Sequence, residues 1–388
     1  VDSRPLAEFR RNSIPGAYDC PSAELPYRMP DFVRSPETTV VVNCGGRTRS
    51  IIGAQVLINA GFPNPVYALR DGTQGWKLAG LQLNHGRTET VPPPSATGRA
   101  WALQAAERVA LRFGIRRIDQ VRLQQLRREA ARTLYLLDVR TREEFEKRRI
   151  AGSRHAPGGQ LVQATDEFVG VRNARIVLID PSRVRSVMTA SWLNQMGWDD
   201  VHVLEPEGAD GFAGWPLEQG PRRRDIALPP AATLSATELA PLVAKDAVCV
   251  IDLATSLRYR ARHVPGAWWA VRARLAEAKA KIPAPARLVL SSEDGVLATL
   301  AAPEAAALWP EAEILVLDGG SAAWFAAGLP TESGVTRATT TLDDVWYKPY
   351  DHEHESDYEK HARAYLSWEV ALVEQIKRDP TIRFRAYD

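Results

Sequence analysis

The chain has 388 residues, 25% of them charged and 45% hydrophobic, a globular balance that excludes a disordered or fibrous protein. Its 49 basic and 47 acidic side chains leave a net charge of +2, which gives no support to nucleic-acid binding as its main task. No apolar run reaches the ~18 residues that span a bilayer, so no membrane partner is expected.

In chain order, the sequence opens at Val1 with no visible signal peptide. Val40-Val41-Val42 reads as a buried strand, and Ile51 to Ala60 as a helix ended by the C-cap residue Gly61. Val66-Tyr67-Ala68-Leu69 is the next strand. Gly86 to Arg99, with Pro92-Pro93-Pro94-Ser95, reads as a linker. Arg116-Arg117-Ile118 and a helical stretch from Val121 to Ala131 precede the strands Leu134-Tyr135-Leu136-Leu137 and Ile176-Val177-Leu178-Ile179. A second linker runs from Pro216 to Ser235 and holds Pro221-Arg222-Arg223-Arg224. Ala236 to Ala244 is helical, Val248 to Ile251 a strand, and Thr331 to Thr341 a third break. Tyr358 to Lys377 forms an amphipathic helix carrying Tyr365, Trp368, Val370, Leu372, Val373 and Ile376. It is expected to dock on its own domains, with a homo-oligomer interface as the second reading. Short strands separated by helices mean βαβ units, hence an α/β protein with largely parallel sheets flanked by helices.

The blocks repeat. A shift of 136 places Asp2 on Asp138, Arg4 on Arg140, Glu8 on Glu144, Phe9 on Phe145, Arg49 on Arg185 and Ser50 on Ser186. A shift of 250 places Pro15-Gly16-Ala17 on Pro265-Gly266-Ala267, and one of 248 places Trp76 on Trp324. Three domains of one type are therefore expected, over residues 1–92, 100–225 and 232–335, with a helical extension over 336–388. The first block has no counterpart of the strand and helix that precede Leu134, so the chain is expected to be a fragment of a longer protein.

Asn43-Cys44-Gly45-Gly46-Arg47-Thr48-Arg49-Ser50 follows a strand and opens a helix. A cysteine there sits at the carboxyl end of a strand, where open α/β sheets place ligands. Backbone N–H groups of the loop and helix start can form an anion cradle. Gly45 and Gly46 permit a tight loop, and Arg47 and Arg49 add positive charge. The combination predicts a depressed pKa for Cys44 and a thiolate nucleophile facing an anionic substrate.

These residues resemble the active-site loop of the rhodanese sulfurtransferases. So do Asp2-Ser3-Arg4 with Glu8-Phe9, Ile14-Pro15-Gly16-Ala17, and Leu69-Arg70-Asp71-Gly72 with Gly75-Trp76 and Gly80. The order of motifs is similar to that of bacterial proteins with several tandem rhodanese domains. The resemblance implies a sulfurtransferase in which Cys44 takes a sulfane sulfur from thiosulfate or a related donor. The resulting persulfide passes its sulfur to cyanide or a thiol. It implies a cradle of Gly45, Gly46, Arg47, Thr48, Arg49 and Ser50, support from Asp2 and Arg4, and neither metal nor organic cofactor. Arg47 departs from the family pattern, which often has Gly there. It is expected to meet the donor's distal charge, while Arg49 holds the loop through a carboxylate, Asp2 being the candidate.

A cysteine phosphatase would resemble Cys-x5-Arg, but here the sixth residue after Cys44 is Ser50. A non-catalytic sulfur-carrying or sensing scaffold is the alternative from another class. The second block has Asp180 in place of the cysteine and the third Ser292, so both are expected to be inert. Cys249 reads as core and Cys20 as a secondary candidate for a resolving thiol. Three cysteines, odd in number and far apart, suit a reducing, cytoplasmic compartment. Asp351-His352-Glu353-His354-Glu355 with His361 holds metal-ligand types, but is read as a solvated turn.

Overall fold

The computed structural model describes residues 1–221, 226–352 and 354–387. The arginines 222–224 of the second linker and Glu353 lie outside the described residues. The chain forms two compact units, Val1–Arg223 with Glu359–Asp388, and Arg224–Tyr358.

In the first unit, the Val40–Val42 strand pairs in parallel with Val66–Ala68, joined by the Thr48–Asn59 helix. Asp2 bridges to both Asn43 and Asp19, which carries the sheet one position outward. The same unit holds a five-stranded parallel sheet in the order Arg116–Ile118, Val201–Leu204, Arg175–Ile179, Leu134–Asp138, Arg154–His155. Its central strands are buried on both faces. Leu137, Ile176, Leu178, Val201 and Val203 enter one core, while Leu136, Val177, Ile179 and Leu204 enter the other. Successive residues of a strand face opposite sides, so a continuous apolar run requires a cover on each.

The second unit repeats this strand order: Thr233–Leu234, Glu313–Leu317, Arg287–Ser291, Cys249–Asp252, Trp268–Trp269. Neighbouring residues again divide between two cores, Ile251, Leu288 and Leu290 against Val250 and Val289. Residues 336–358 stay with this sheet, where Thr339 N–H donates to the Trp269 carbonyl at 3.0 Å.

Two expectations are corrected. The end of the first linker is helix: Ala96–Arg112 is capped by Ser95, whose hydroxyl accepts from Gly98 N–H. Ala102, Ala105, Ala106 and Val109 form its buried stripe, at the 3–4 residue spacing of a helix face. They share one core with Val56 and Ala60 before them and Leu193 after, so the helix cements the first two blocks. In the turn read as solvated, Asp351 is instead buried and its carboxylate accepts from Lys348 N–H at 2.8 Å, while His354 is exposed. Among the described residues no cluster of three or more His, Cys, Asp or Glu is placed to hold a metal ion.

Candidate active site

Cys44 lies just beyond the Val40–Val42 strand and is 2% exposed. The next helix begins at Thr48 and aims its first N–H groups back at the loop. Gly46 N–H, Ser50 N–H and the Ser50 hydroxyl all face the Cys44 sulfur. The same hydroxyl donates to the Arg47 carbonyl at 2.7 Å, so its one proton serves either the loop or a thiolate. Behind the loop the chain crosses closely. Thr73 N–H donates to the Cys44 carbonyl at 2.8 Å and Gln74 N–H to the Gly45 carbonyl at 3.0 Å. Gly72, at φ +55°, permits this approach, since a β-carbon there would collide with the Cys44 carbonyl.

Asp2 and Arg4 are buried together behind the cysteine loop. Arg4 Nε and Nη2 donate to the two Asp2 oxygens at 2.9 and 2.8 Å, and Asn43 Nδ2 adds a third donor at 2.9 Å. Arg4 also donates to the Asn12 carbonyl at 2.6 Å. Asp2 is thus engaged by Arg4, which corrects the expected pairing with Arg49. Arg49 instead forms a two-pronged ion pair with Glu8, both contacts at 2.8 Å. Arg47 is half-buried and lines an open cleft with Ile51, Leu69 and Arg70 on one side and Leu366 and Val370 on the other.

A depressed thiol pKa does not hold in this state. Burial raises the Cys44 pKa, and Arg49, the Ser50 hydroxyl and the two N–H groups offset that only in part. The physical cause is that the sulfur is out of water, which disfavours the thiolate.

The cover comes from the C-terminal helix, Glu355–Arg378. Glu369 reaches the start of the cysteine-loop helix, where its Oε1 accepts from Thr48 N–H at 3.3 Å and from the Thr48 hydroxyl at 3.0 Å. Its Oε2 is buried without a hydrogen-bond partner among the described residues. A β-carbon on Gly46 would overlap that oxygen and come within 2.8 Å of Tyr365 Cε1. Sequence reasoning missed Glu369 and Tyr365, for which one acidic and one aromatic residue on a charged helix give no signal. It also missed the role of Glu8, which the internal repeat held in plain view: Glu144 and Arg185, at the same shift, pair likewise at 2.5 and 3.1 Å.

The second block keeps the cradle and fills it. Asp180 accepts from the N–H groups of Ser182, Arg185 and Ser186 at 3.1, 2.8 and 3.4 Å, and from the Arg185 guanidinium at 3.0 Å. Although burial opposes it, Arg185 holds the Asp180 carboxyl below its usual range. In the third block the Ser292 hydroxyl accepts from Ala298 N–H at 3.2 Å, beside the acidic pair Glu293 and Asp294. Cys20 is buried in the first block's core, where burial raises its thiol pKa well above the ordinary value.

A parallel sheet flanked by helices, with a cysteine at a strand end inside a ring of N–H donors, defines a rhodanese-like domain. That family matches residues 1–79 and 120–215. The crystal structure of a thiosulfate sulfurtransferase from Pseudomonas aeruginosa is 44% identical and covers 100% of this chain and 72% of its own, with a TM-score of 0.92. The chain belongs to the rhodanese family. An HTH-type transcriptional regulator from Mycobacterium tuberculosis is 34% identical over 86 residues, 22% of this chain and 37% of the regulator's length. A rhodanese-related protein from Thermoplasma volcanium, 16% identical, covers 26% of this chain and 97% of its own, with a TM-score of 0.24. No helix among the described residues is long and apolar enough to cross a membrane.

Proposed function

We propose that this chain is a sulfurtransferase that takes the sulfane sulfur of thiosulfate, or of a related anionic donor, onto Cys44 and passes it to cyanide or a thiol. The observation that carries the reading is the Cys44 loop: a buried thiol with Gly46 N–H, Ser50 N–H and the Ser50 hydroxyl directed at it. Membership of the rhodanese family supports it.

The Cys44 thiol first loses its proton to a solvent base. The thiolate attacks the sulfane sulfur of thiosulfate, a new S–S bond forms, and the donor's own S–S bond breaks with its electron pair leaving on sulfite. The persulfide anion sits in the N–H cradle, where its charge is neutralised by dipoles that need no reorganisation. Cyanide then attacks the outer sulfur, thiocyanate leaves, and the electron pair returns to the Cys44 thiolate. No oxidant, metal or organic cofactor enters the balance. Arg49 and Ser50 hold the loop, Asp2 and Arg4 support it from behind, and Arg47, on the cleft wall, meets the donor's distal oxygens. Thr48 and Gly45 complete the backbone cradle.

The three blocks read as three rhodanese-like domains in the cytoplasm, with transfer confined to the first. A carboxylate cannot form a persulfide, and Asp180 already occupies the cradle of the second. A sulfur-carrying or sensing scaffold is the competing reading, favoured by the raised thiol pKa. Turnover decides. Incubation with thiosulfate should add one sulfur atom at Cys44 by peptide mass spectrometry, and Cys44→Ser should abolish thiocyanate formation with the melting temperature retained. Thiocyanate production at the wild-type rate by Cys44→Ser overturns the assignment.

A further inference from the structure

The buried carboxylate of Glu369 has no part in the transfer chemistry. It stands where a helix N-terminus presents free donors, its Oε1 on Thr48 and its unpaired Oε2 against Gly46. Leaving a buried oxygen without a partner is costly, and the helix that carries the residue is otherwise exposed at Trp368, Val370 and Val373. A buried carboxylate oxygen left unpaired beside the reactive loop, on a helix otherwise exposed, marks a contact that exchanges partners.

We infer that Glu369 is a resident anion of the Cys44 loop, a specificity-determining residue that an anionic sulfur donor must displace from the Thr48 donors before it reaches the thiol. Asp180 provides an internal precedent, since the second block's cradle also holds one of the protein's own carboxylates. The two differ in tenure. Asp180 is tied by several loop N–H groups and the Arg185 guanidinium, whereas Glu369 is held by Thr48 and Tyr365 and arrives at the loop from 321 residues away. Tyr365, one helical turn before Glu369, closes the same side of the loop. Burial and the adjacent Glu369 charge push its phenol pKa up, so it stays neutral and adds no second anion. With Glu369 in place the loop favours uncharged reagents, and with Glu369 withdrawn the Thr48 N–H and hydroxyl become available to an oxyanion.

The inference rests on the reading of Cys44 as the nucleophile, and its test does not need sulfur transfer. Second-order rates of Cys44 alkylation are measured with iodoacetate and iodoacetamide, which differ in charge, on the full chain with a peptide mass readout. Glu369→Gln keeps the shape and removes the charge; Glu369→Ala guards against a glutamine that rebuilds the same contact. Both should raise the iodoacetate-to-iodoacetamide rate ratio about tenfold, as expected for removing a like charge that lies against the cysteine loop. Steady-state kinetics should show a lower KM for thiosulfate in both variants, with kcat changed less. An unchanged alkylation ratio in both variants overturns the inference whatever the turnover. If the wild-type chain turns over no thiosulfate while the ratio shifts, Glu369 guards the thiol as inferred and the assigned reaction is what fails.

Discussion

Cys44 and Asp180 occupy one position in two copies of one loop, and their chemistry diverges through a single functional group. A thiol at that point is nearly neutral when buried, whereas a carboxylate draws in every donor the loop offers. Removing the carboxylate by Asp180→Ala leaves Arg185 charged and buried between Glu24 and Glu144. The loss also leaves the loop N–H groups of Arg185 and Ser186 without their acceptor, and an unsatisfied buried donor costs about 1–3 kcal/mol, so the variant should melt below the wild type by calorimetry, with no gain of sulfur transfer. Cys44 itself makes a pH prediction. Its thiol pKa lies above the usual range through burial, so iodoacetamide alkylation should keep rising through alkaline pH. A plateau reached near neutrality contradicts the raised value. Asp19 shows the effect of burial on a carboxyl: its pKa is pushed up to about 8, chiefly by desolvation and then by Asp2. A raised carboxyl pKa favours the folded state while the group is neutral. That stability is complete below the unfolded value of 3.8 and is lost as pH climbs through about 8. Asp19→Asn should therefore gain melting temperature relative to wild type progressively between those limits; a constant difference across that window contradicts the shift.

The strand-to-helix loop works as an element because the chain beneath it comes close. Gly72 touches the Cys44 carbonyl from below, and Gly320 repeats the contact with Ser292 in the third block. A methyl at Gly72 must push the loop away or leave its positive φ, a conformation costing about 1–2 kcal/mol for an ordinary residue. Gly72→Ala should lower kcat for sulfur transfer at least tenfold while leaving the helix and sheet content little changed, which circular dichroism and activity together can separate. The Ala96–Arg112 helix is the second element with a specific burden, because its alanine stripe is shared by two blocks. Ser95→Ala removes its N-cap, worth about 1 kcal/mol, and should lower the stability of the unit containing Cys44. The sequence reading carried the linker through to Arg99 and so missed this helix. The neighbouring prolines, which cannot enter a helix interior, concealed where it starts.

At the scale of the whole molecule, two compact units predict two unfolding transitions. Sulfate, as a non-reacting oxyanion, should raise only the transition of the unit holding Cys44, because a ligand stabilises the structure that binds it; an equal shift of both would place the anion site elsewhere. The sequence alone determined the α/β class, since unbroken apolar runs alternating with helical patterns have no other economical burial. It also determined the repeat and the cysteine loop, because glycines, arginines and the cysteine that must cooperate lie within seven consecutive positions. The repeat aligns Glu8 with Glu144 and Arg49 with Arg185, but that these residues pair is seen only in the structure. Tertiary structure decided what depends on distance across the chain. The raised pKa of Cys44 follows from burial, which local charge counting does not register. Asp2 went to Arg4 because a guanidinium two residues away meets both of its oxygens, while Glu8 takes Arg49 in a two-pronged pair. Glu369 reaches Thr48 across 321 residues, and no periodicity or motif encodes such a contact. It exists only because packing brings the face of a C-terminal helix onto the N-terminus of another, where a carboxylate meets unpaired donors.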